Sequence, residues 1–253
     1  MLSVLSKLLG RRDYYSKSNS VSAPPAVAVL GADEDMQRII AKAIPFTMTS
    51  NERLCAVIDA VRYVEHANIR GDIVECGVWK GGSMMAAAYA LIEFQSTNLT
   101  RKLYLYDTFE GMTAPTEKDL DIDGKSAVDQ LRRATTNSDG WCRSPVDEVK
   151  QNLLSTGYPE EQLHFIQGKV EDTLPGKAPA NIAILRLDTD WYESTKHELV
   201  HLYPRVQRGG IIIIDDYGHW NGARTATDEF LQANKLNVFL HRIDYTARLF
   251  VKP

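Results

Sequence analysis

Five short apolar runs set the main constraint on what this chain can fold into: Asp72 to Cys76, Leu103 to Asp107, Leu163 to Gln167, Ile182 to Asp188 and Gly210 to Asp215. Each is hydrophobic almost throughout instead of alternating apolar and polar residues. That is the pattern of a strand covered on both faces, and hence of a parallel core sheet. Stretches with helical spacing lie between the runs, at Gly81 to Phe94, Val146 to Leu154 and Tyr192 to Tyr203, and supply the crossovers that parallel neighbours need. A helix near Ala223 to Asn234 and two closing strands, Val238 to Ile243 and Ala247 to Val251, complete the pattern. The expected fold is a doubly wound, Rossmann-like α/β sheet of seven mostly parallel strands with helices on both faces. Upstream, Thr49 and Glu52 are spaced as a capping box, and Leu54, Val57, Ile58, Val61 and Val64 mark one face of the helix it opens.

The 253 residues suffice for one domain of this kind. Residues 1–30 set leucines beside Lys7, Arg11 and Arg12 and then turn rich in Ser, Pro and small residues, which reads as an N-terminal arm and linker. Residues 31–253 form the domain, with 112–145 an inserted polar lid. A formal charge of −4 argues against nucleic acid as a partner. Cys55, Cys76 and Cys142 form no CxxC pair and are odd in number, so a reducing cytoplasm is expected instead of a disulfide framework. Lys7 interrupts the apolar start, no signal-peptide cleavage site follows, and no run approaches the ~18 apolar residues of a membrane span. The apolar arm makes a homo-oligomer the expected assembly.

In doubly wound sheets ligands sit at the carboxyl ends of the strands. The first such end, Glu75-Cys76-Gly77-Val78-Trp79-Lys80-Gly81-Gly82, is a strand, a glycine-bearing turn and a helix start. Glycines let backbone approach a ligand, and the helix start offers free N–H donors. The spacing E-x-G-x-x-x-G differs from the dinucleotide pattern G-x-G-x-x-G. It suits S-adenosylmethionine, which lacks a pyrophosphate and carries an ammonium group that an acid such as Glu75 can meet. The second strand ends in Asp107-Thr108-Phe109-Glu110-Gly111, placing Asp107 where ribose hydroxyls are held, and Glu171 with Asp172 follow the third strand toward an adenine.

Asp188 and Asp190 close the fourth strand, and Asp215 and Asp216 the fifth. Four carboxylates at neighbouring strand ends repel one another unless they are paired or metal-bound. A divalent cation is the simplest remedy, and an all-oxygen donor set points to Mg²⁺, with Mn²⁺ or Ca²⁺ open and zinc excluded. The plain alternative is that each aspartate caps a helix or a turn.

These blocks, with Thr47-Met48, Leu185 to Asp190, Tyr203-Pro204-Arg205 and Gly209-Gly210, resemble the macrocin O-methyltransferase family of metal- and S-adenosylmethionine-dependent sugar O-methyltransferases, from about Ile44 to the C-terminus. The resemblance implies a class I methyltransferase fold. It also implies Mg²⁺ on Asp188, Asp215 and Asp216, and Asp190 as general base. Thr47, Met48, Glu75, Cys76, Gly77, Val78, Trp79, Asp107, Thr108 and Gly111, with Ser144, Glu171 and Asp172, would line the cofactor. Thr189 departs from the family, where a glycine is expected. The acceptor implied is a hydroxyl of a small-molecule glycoside or glycan. Competing readings are a nicotinamide-dependent oxidoreductase and a non-catalytic ligand- or calcium-binding module.

That last reading draws on Asp119, Asp121, Asp123 and Gly124, which match the start of an EF-hand loop, although Gln130 stands where a bidentate Glu is required and flanking helices are not expected. His219, Trp220 and Asn221 are placed to shape an acceptor pocket, Trp191 and Tyr192 either stack on a sugar or pack, and His197 and His201 have metal-ligand spacing without a third ligand.

Overall fold

The computed structural model describes residues 31–253 except 95–98 and 138–140. The arm and linker at 1–30 lie outside the described residues. The chain opens with helix α1 (Glu34–Ala43) and α2 (Asn51–His66), followed by β1 (Asp72–Cys76), α3 (Gly82–Phe94) and β2 (Leu103–Asp107). Next come α4 (Ala127–Asn137), α5 (Val146–Leu154), β3 (Leu163–Gln167), the short α6 (Val170–Thr173), β4 (Ile182–Leu187) and α7 (Tyr192–Leu202). The last elements are β5 (Val206–Ile214), α8 (Asn221–Ala233), β6 (His241–Arg242) and β7 (Arg248–Val251).

The seven strands form one sheet in the order β3-β2-β1-β4-β5-β7-β6. The first five pair in parallel, and β7 runs antiparallel to both β5 and β6. Both faces are covered, which explains the continuous apolar runs. Leu103, Leu105, Ile184 and Ile213 pack against α1, α2, α3 and α5. Val74, Leu185, Ile212 and Ile214 pack on the opposite side with Leu199, Leu202 and Phe230 of α7 and α8.

Chain order reverses between β1 and β4, the kind of position at which open α/β sheets form a crevice. The register pairs Cys76 with Tyr106 and with Leu187, and Leu187 with Ile214. The residues that follow these strands therefore emerge along one rim.

Three local outcomes differ from the sequence expectation. Ser50, not Thr49, caps α2, its hydroxyl accepting from the Arg53 N–H at 3.2 Å. Helix α1, capped by the Asp33 carboxylate on the Met36 N–H at 2.9 Å, was not foreseen because its polar composition hides its one buried stripe. Helix α4 occupies part of the segment read as an irregular polar lid.

Candidate active site

A deep cleft opens at the β1/β4 switch point. One end is built by the turns after β1 and β2. Gly77 sits at φ +82°, and a Cβ there would fall 1.9 Å from the Asp188 carbonyl oxygen, so only glycine lets these two strand ends abut. Asp107 holds the turn together: its Oδ2 accepts from the Val78 N–H at 2.7 Å and the Trp79 N–H at 3.1 Å, while Oδ1 accepts from the Phe109 N–H at 2.7 Å. Gly77, Val78, Trp79, Asp107, Thr108 and Gly111 all line the cleft, as do Thr47, Met48 and Glu171.

Glu75, Cys76, Ser144 and Asp172 do not line it. Glu75 and Cys76 lie on opposite faces of β1 and are both buried, Glu75 against Arg186 and Cys76 among Val74, Leu185 and Ile212; the Ser144 hydroxyl turns to Glu148 at 3.1 Å, and Asp172 is exposed on α6. A strand alternates its side chains between faces, and α6 turns Asp172 away from its neighbour Glu171.

The other end of the cleft carries Asp188, Asp190, Asp215 and Asp216, with His219 and Tyr245 at its edge. Two buried arginines hold this cluster, and sequence reasoning gave neither a role. Arg186 sends one guanidinium nitrogen to Glu75 at 2.5 Å and Asp188 at 2.7 Å, and another to Asp215 at 2.5 Å. Arg53, on α2, pairs with the second Asp215 oxygen and lies 3.0 Å from Asp244. The available signal was a charge inside the otherwise apolar run Ile182–Leu187, since a buried arginine is rare unless paired. Arg53 is 162 positions from Asp215, beyond local pattern reading.

These pairings split the carboxylates into two groups. Burial would raise Asp215, but Arg186 and Arg53 outweigh it and hold its carboxyl below the ordinary aspartate range. Burial pushes Glu75 up to about 7 against the pull of Arg186. Asp190 is pushed up to about 8 by burial and by the charge of Asp188, and burial likewise raises Asp188 and Asp216. The arginines thus answer part of the charge repulsion, and the remaining acids hold their protons more tightly.

Asp188, Asp215 and Asp216 each offer a carboxylate oxygen within 4.8 Å of the others, and Asp216 Oδ2 is buried without a hydrogen-bond partner among the described residues. An all-carboxylate set of this kind fits a hard divalent cation such as Mg²⁺. Asp190 stands beside the three at φ +66°, a left-handed conformation that aspartate tolerates better than most residues.

The EF-hand-like segment has a structural use. Asp119 Oδ1 caps α7 by accepting from the Tyr192 N–H at 2.8 Å, and its Oδ2 accepts from the Thr116 N–H and hydroxyl. Asp121 is taken up by the N–H groups of Asp123 and Lys125 and by Gln130. Contrary to the sequence expectation, a helix, α4, does follow this loop. Asp119→Ala is expected to cost about 1–2 kcal/mol through the lost cap, and calcium is expected to shift the melting temperature of the variant and of the unsubstituted protein equally. Thermal denaturation with and without calcium checks both.

Trp191 and Tyr192 are buried and take the packing role: Trp191 makes edge contacts with Trp220 at 5.0 Å and Trp141 at 6.1 Å, and neither lines the cleft. The rings of His197 and His201 lie 4.3 Å apart at a tilt of 58° and belong to no metal-binding cluster among the described residues.

Comparison with known proteins gives the family of the chain. A sequence profile described as macrocin-O-methyltransferase matches residues 22–252. The chain belongs to the macrocin-O-methyltransferase family. It is 34% identical over 175 residues to an 8-demethyl-8-(2,3-dimethoxy-alpha-L-rhamnosyl)-tetracenomycin-C 4'-O-methyltransferase of Streptomyces olivaceus, covering 69% of this chain and 64% of that protein, just under two thirds of its length. It is 33% identical over 184 residues to a demethyldecarbamoylnovobiocin O-methyltransferase of Streptomyces niveus, covering 73% of this chain and 67% of that one. The solved structure of the O-methyltransferase NovP superposes with a TM-score of 0.71 at 30% identity, covering 82% of each chain. The expected fold class is thereby met. Among the described residues no helix is long and apolar enough to cross a membrane.

Proposed function

We propose that this member of the macrocin-O-methyltransferase family transfers a methyl group from S-adenosylmethionine to a hydroxyl of a sugar moiety, on a natural-product glycoside or a surface polysaccharide, with Mg²⁺ as the resident cation. One observation carries the reading: three carboxylates converge within 4.8 Å at one end of a cleft whose other end is the glycine turn braced by Asp107. The relative named as a 4'-O-methyltransferase of a rhamnosyl-tetracenomycin supports the choice of acceptor.

In this reading each part of the cleft has one task. The cleft-lining turn residues Gly77, Val78 and Trp79 and residues 47–48 bind the donor, with Asp107 fixing the turn through the Val78 and Trp79 amides. Asp188, Asp215 and Asp216 hold the cation, and Arg186 and Arg53 keep Asp188 and Asp215 fixed before it arrives. Mg²⁺, when bound, acts as a Lewis acid on the acceptor oxygen. Asp190 takes the hydroxyl proton on its carboxylate, a task for which a pKa near the working pH is suited. Holding both substrates in one cleft removes much of the entropic barrier. The reading extends to a chain that works in a reducing cytoplasm, in keeping with three free thiols, and that self-associates, with 112–145 as the lid over the acceptor.

Calorimetric titration tests the proposal, with S-adenosylmethionine and NAD run separately, each with and without Mg²⁺. The expected result is micromolar binding of S-adenosylmethionine, weakened by Asp107→Ala, and Mg²⁺ binding lost in Asp216→Asn. Binding of NAD alone would overturn it in favour of an oxidoreductase, and binding of neither would leave a non-catalytic module.

A further inference from the structure

Glu198 is a buried acid that the mechanism above does not use. It sits on α7 with no exposed surface, among core leucines that include Leu199 and Leu202. An apolar side chain would fit such a position without the penalty of burying a carboxyl group. What the carboxyl touches is the turn between β4 and α7: Glu198 Oε1 accepts from the Thr189 hydroxyl at 3.0 Å. Its other oxygen, Oε2, has no hydrogen-bond partner among the described residues, and the Cys76 thiol lies close enough to the carboxyl group to interact with it.

Thr189 is the residue between Asp188 and Asp190, and several hydrogen bonds constrain its position, among them a donation from the Ser194 hydroxyl to its carbonyl at 3.4 Å. The Asp188 N–H donates to the Cys76 carbonyl at 2.8 Å, and the Trp191 N–H donates to the Thr189 carbonyl at 2.7 Å. The Glu198 bond is the one that fixes the Thr189 side chain. Asp190, the next residue, is held in the left-handed region at φ +66°, a conformation that persists only where the surroundings impose it. Both neighbours of Thr189 present their carboxylates to the same cleft despite mutual repulsion, so the turn needs an anchor from beneath.

We infer that Glu198 is a positioning residue which, through its hydrogen bond to Thr189, locks the Asp188-Thr189-Asp190 turn so that Asp190 faces the acceptor hydroxyl. The catalytic part of this inference rests on the reading of Asp190 as the proton acceptor. The latch itself is a statement about the turn. Glutamine keeps the accepting Oε1, whereas leucine fills the space without it, and Thr189→Val removes the other partner at equal volume.

The experiment compares the full chain with Glu198→Leu, Glu198→Gln, Thr189→Val and the Glu198→Leu/Thr189→Val double variant. Amide hydrogen exchange is followed across residues 188–191, alongside thermal melting and calorimetric S-adenosylmethionine affinity. Glu198→Leu and Thr189→Val are each expected to speed exchange in the turn by about tenfold, with no fall in melting temperature and no further change in the double variant. Glu198→Gln is expected to exchange like the unsubstituted chain. With an acceptor in hand, kcat falls by about tenfold in the Leu and Val variants while KM for S-adenosylmethionine stays constant.

Unchanged exchange in Glu198→Leu overturns the latch, and so does faster exchange spread along all of α7 with a lower melting temperature, which marks a purely structural role. Loosened exchange with kcat intact overturns the positioning role. An unsubstituted chain that fails to bind S-adenosylmethionine sinks the methyltransferase reading alone, because the exchange comparison still decides the latch.

Discussion

Arg186→Met is expected to destabilise the fold by about 3–5 kcal/mol, the range for removing one partner of a buried charge network. For a domain of this size that lowers the melting temperature by roughly 6–20 °C. Arg186 is almost fully buried and contacts Glu75, Asp188 and Asp215 together. Methionine fills the space but leaves Glu75 without an ion-pair partner inside the sheet, while Asp215 retains Arg53. Arg53→Met is therefore the milder change, since Asp215 then keeps Arg186. Arg186→Lys recovers little, because one ammonium cannot reproduce the forked contacts of a guanidinium.

The pH dependence has a definite sign. Glu75 in the folded chain titrates near 7, above the ordinary glutamate value, so the native state binds its proton more tightly than the unfolded state does. Its contribution to stability is fully present below the ordinary glutamate pKa and is lost as pH rises through about 7. Without Arg186 the opposing attraction is gone and the loss extends to higher pH. Arg186→Met should therefore lie closest to the unsubstituted protein in mildly acidic buffer and furthest from it above neutrality. Equal melting temperatures at pH 8 would show that the arginine is not needed to hold these acids.

The strands were legible because burial on both faces leaves a local signature. All five core strands form within a few residues of their apolar runs, and β1, β2 and β3 at the expected bounds. The aspartates were legible for a related reason: the carboxyl end of a buried strand is where a polar residue gains access to solvent or ligand.

What escaped was the compensation. The expected capping box used Thr49 and Glu52, but the helix starts one residue later, which puts Arg53 at the third helical position and aims it at Asp215. A reciprocal box would need an acid or amide there. The site thus takes a residue that local helix chemistry would have assigned otherwise. In the same way Asp119, which looks like a calcium ligand in sequence, satisfies the Tyr192 N–H of a helix 73 positions away. Non-local pairings of this kind decide whether a row of acids is balanced by protein cations, by a metal or by both, and a single sequence does not encode them in any short window.

That balance leads to the second large effect. Asp190→Asn is expected to reduce methyl transfer by about 10²–10⁴-fold, the usual contribution of a positioned base. S-adenosylmethionine affinity should stay within about twofold, because Asp190 lies at the carboxylate end of the cleft and the proposed donor contacts lie at the other. Asparagine is nearly isosteric and tolerates the left-handed backbone at φ +66°, so the loss is not one of folding. It also removes an acid raised to about 8 by burial and by Asp188, and the variant should melt no lower than the parent.

The unsubstituted protein supplies the matching control. A base works only when deprotonated, so kcat should climb about tenfold per pH unit on the acid side and level off near the Asp190 pKa. A nearby divalent cation favours the charged carboxylate and shifts that midpoint downward. The same competition makes cation affinity increase with pH, since the raised acids must lose protons before they bind. Asp190→Asn should flatten the acid limb of the rate profile while leaving the rise of cation affinity in place, because Asp188 and Asp216 still titrate. A variant that retained more than about a tenth of the parental rate, with the acid limb intact, would assign the proton to another group, since loss of the true base costs at least about 10²-fold.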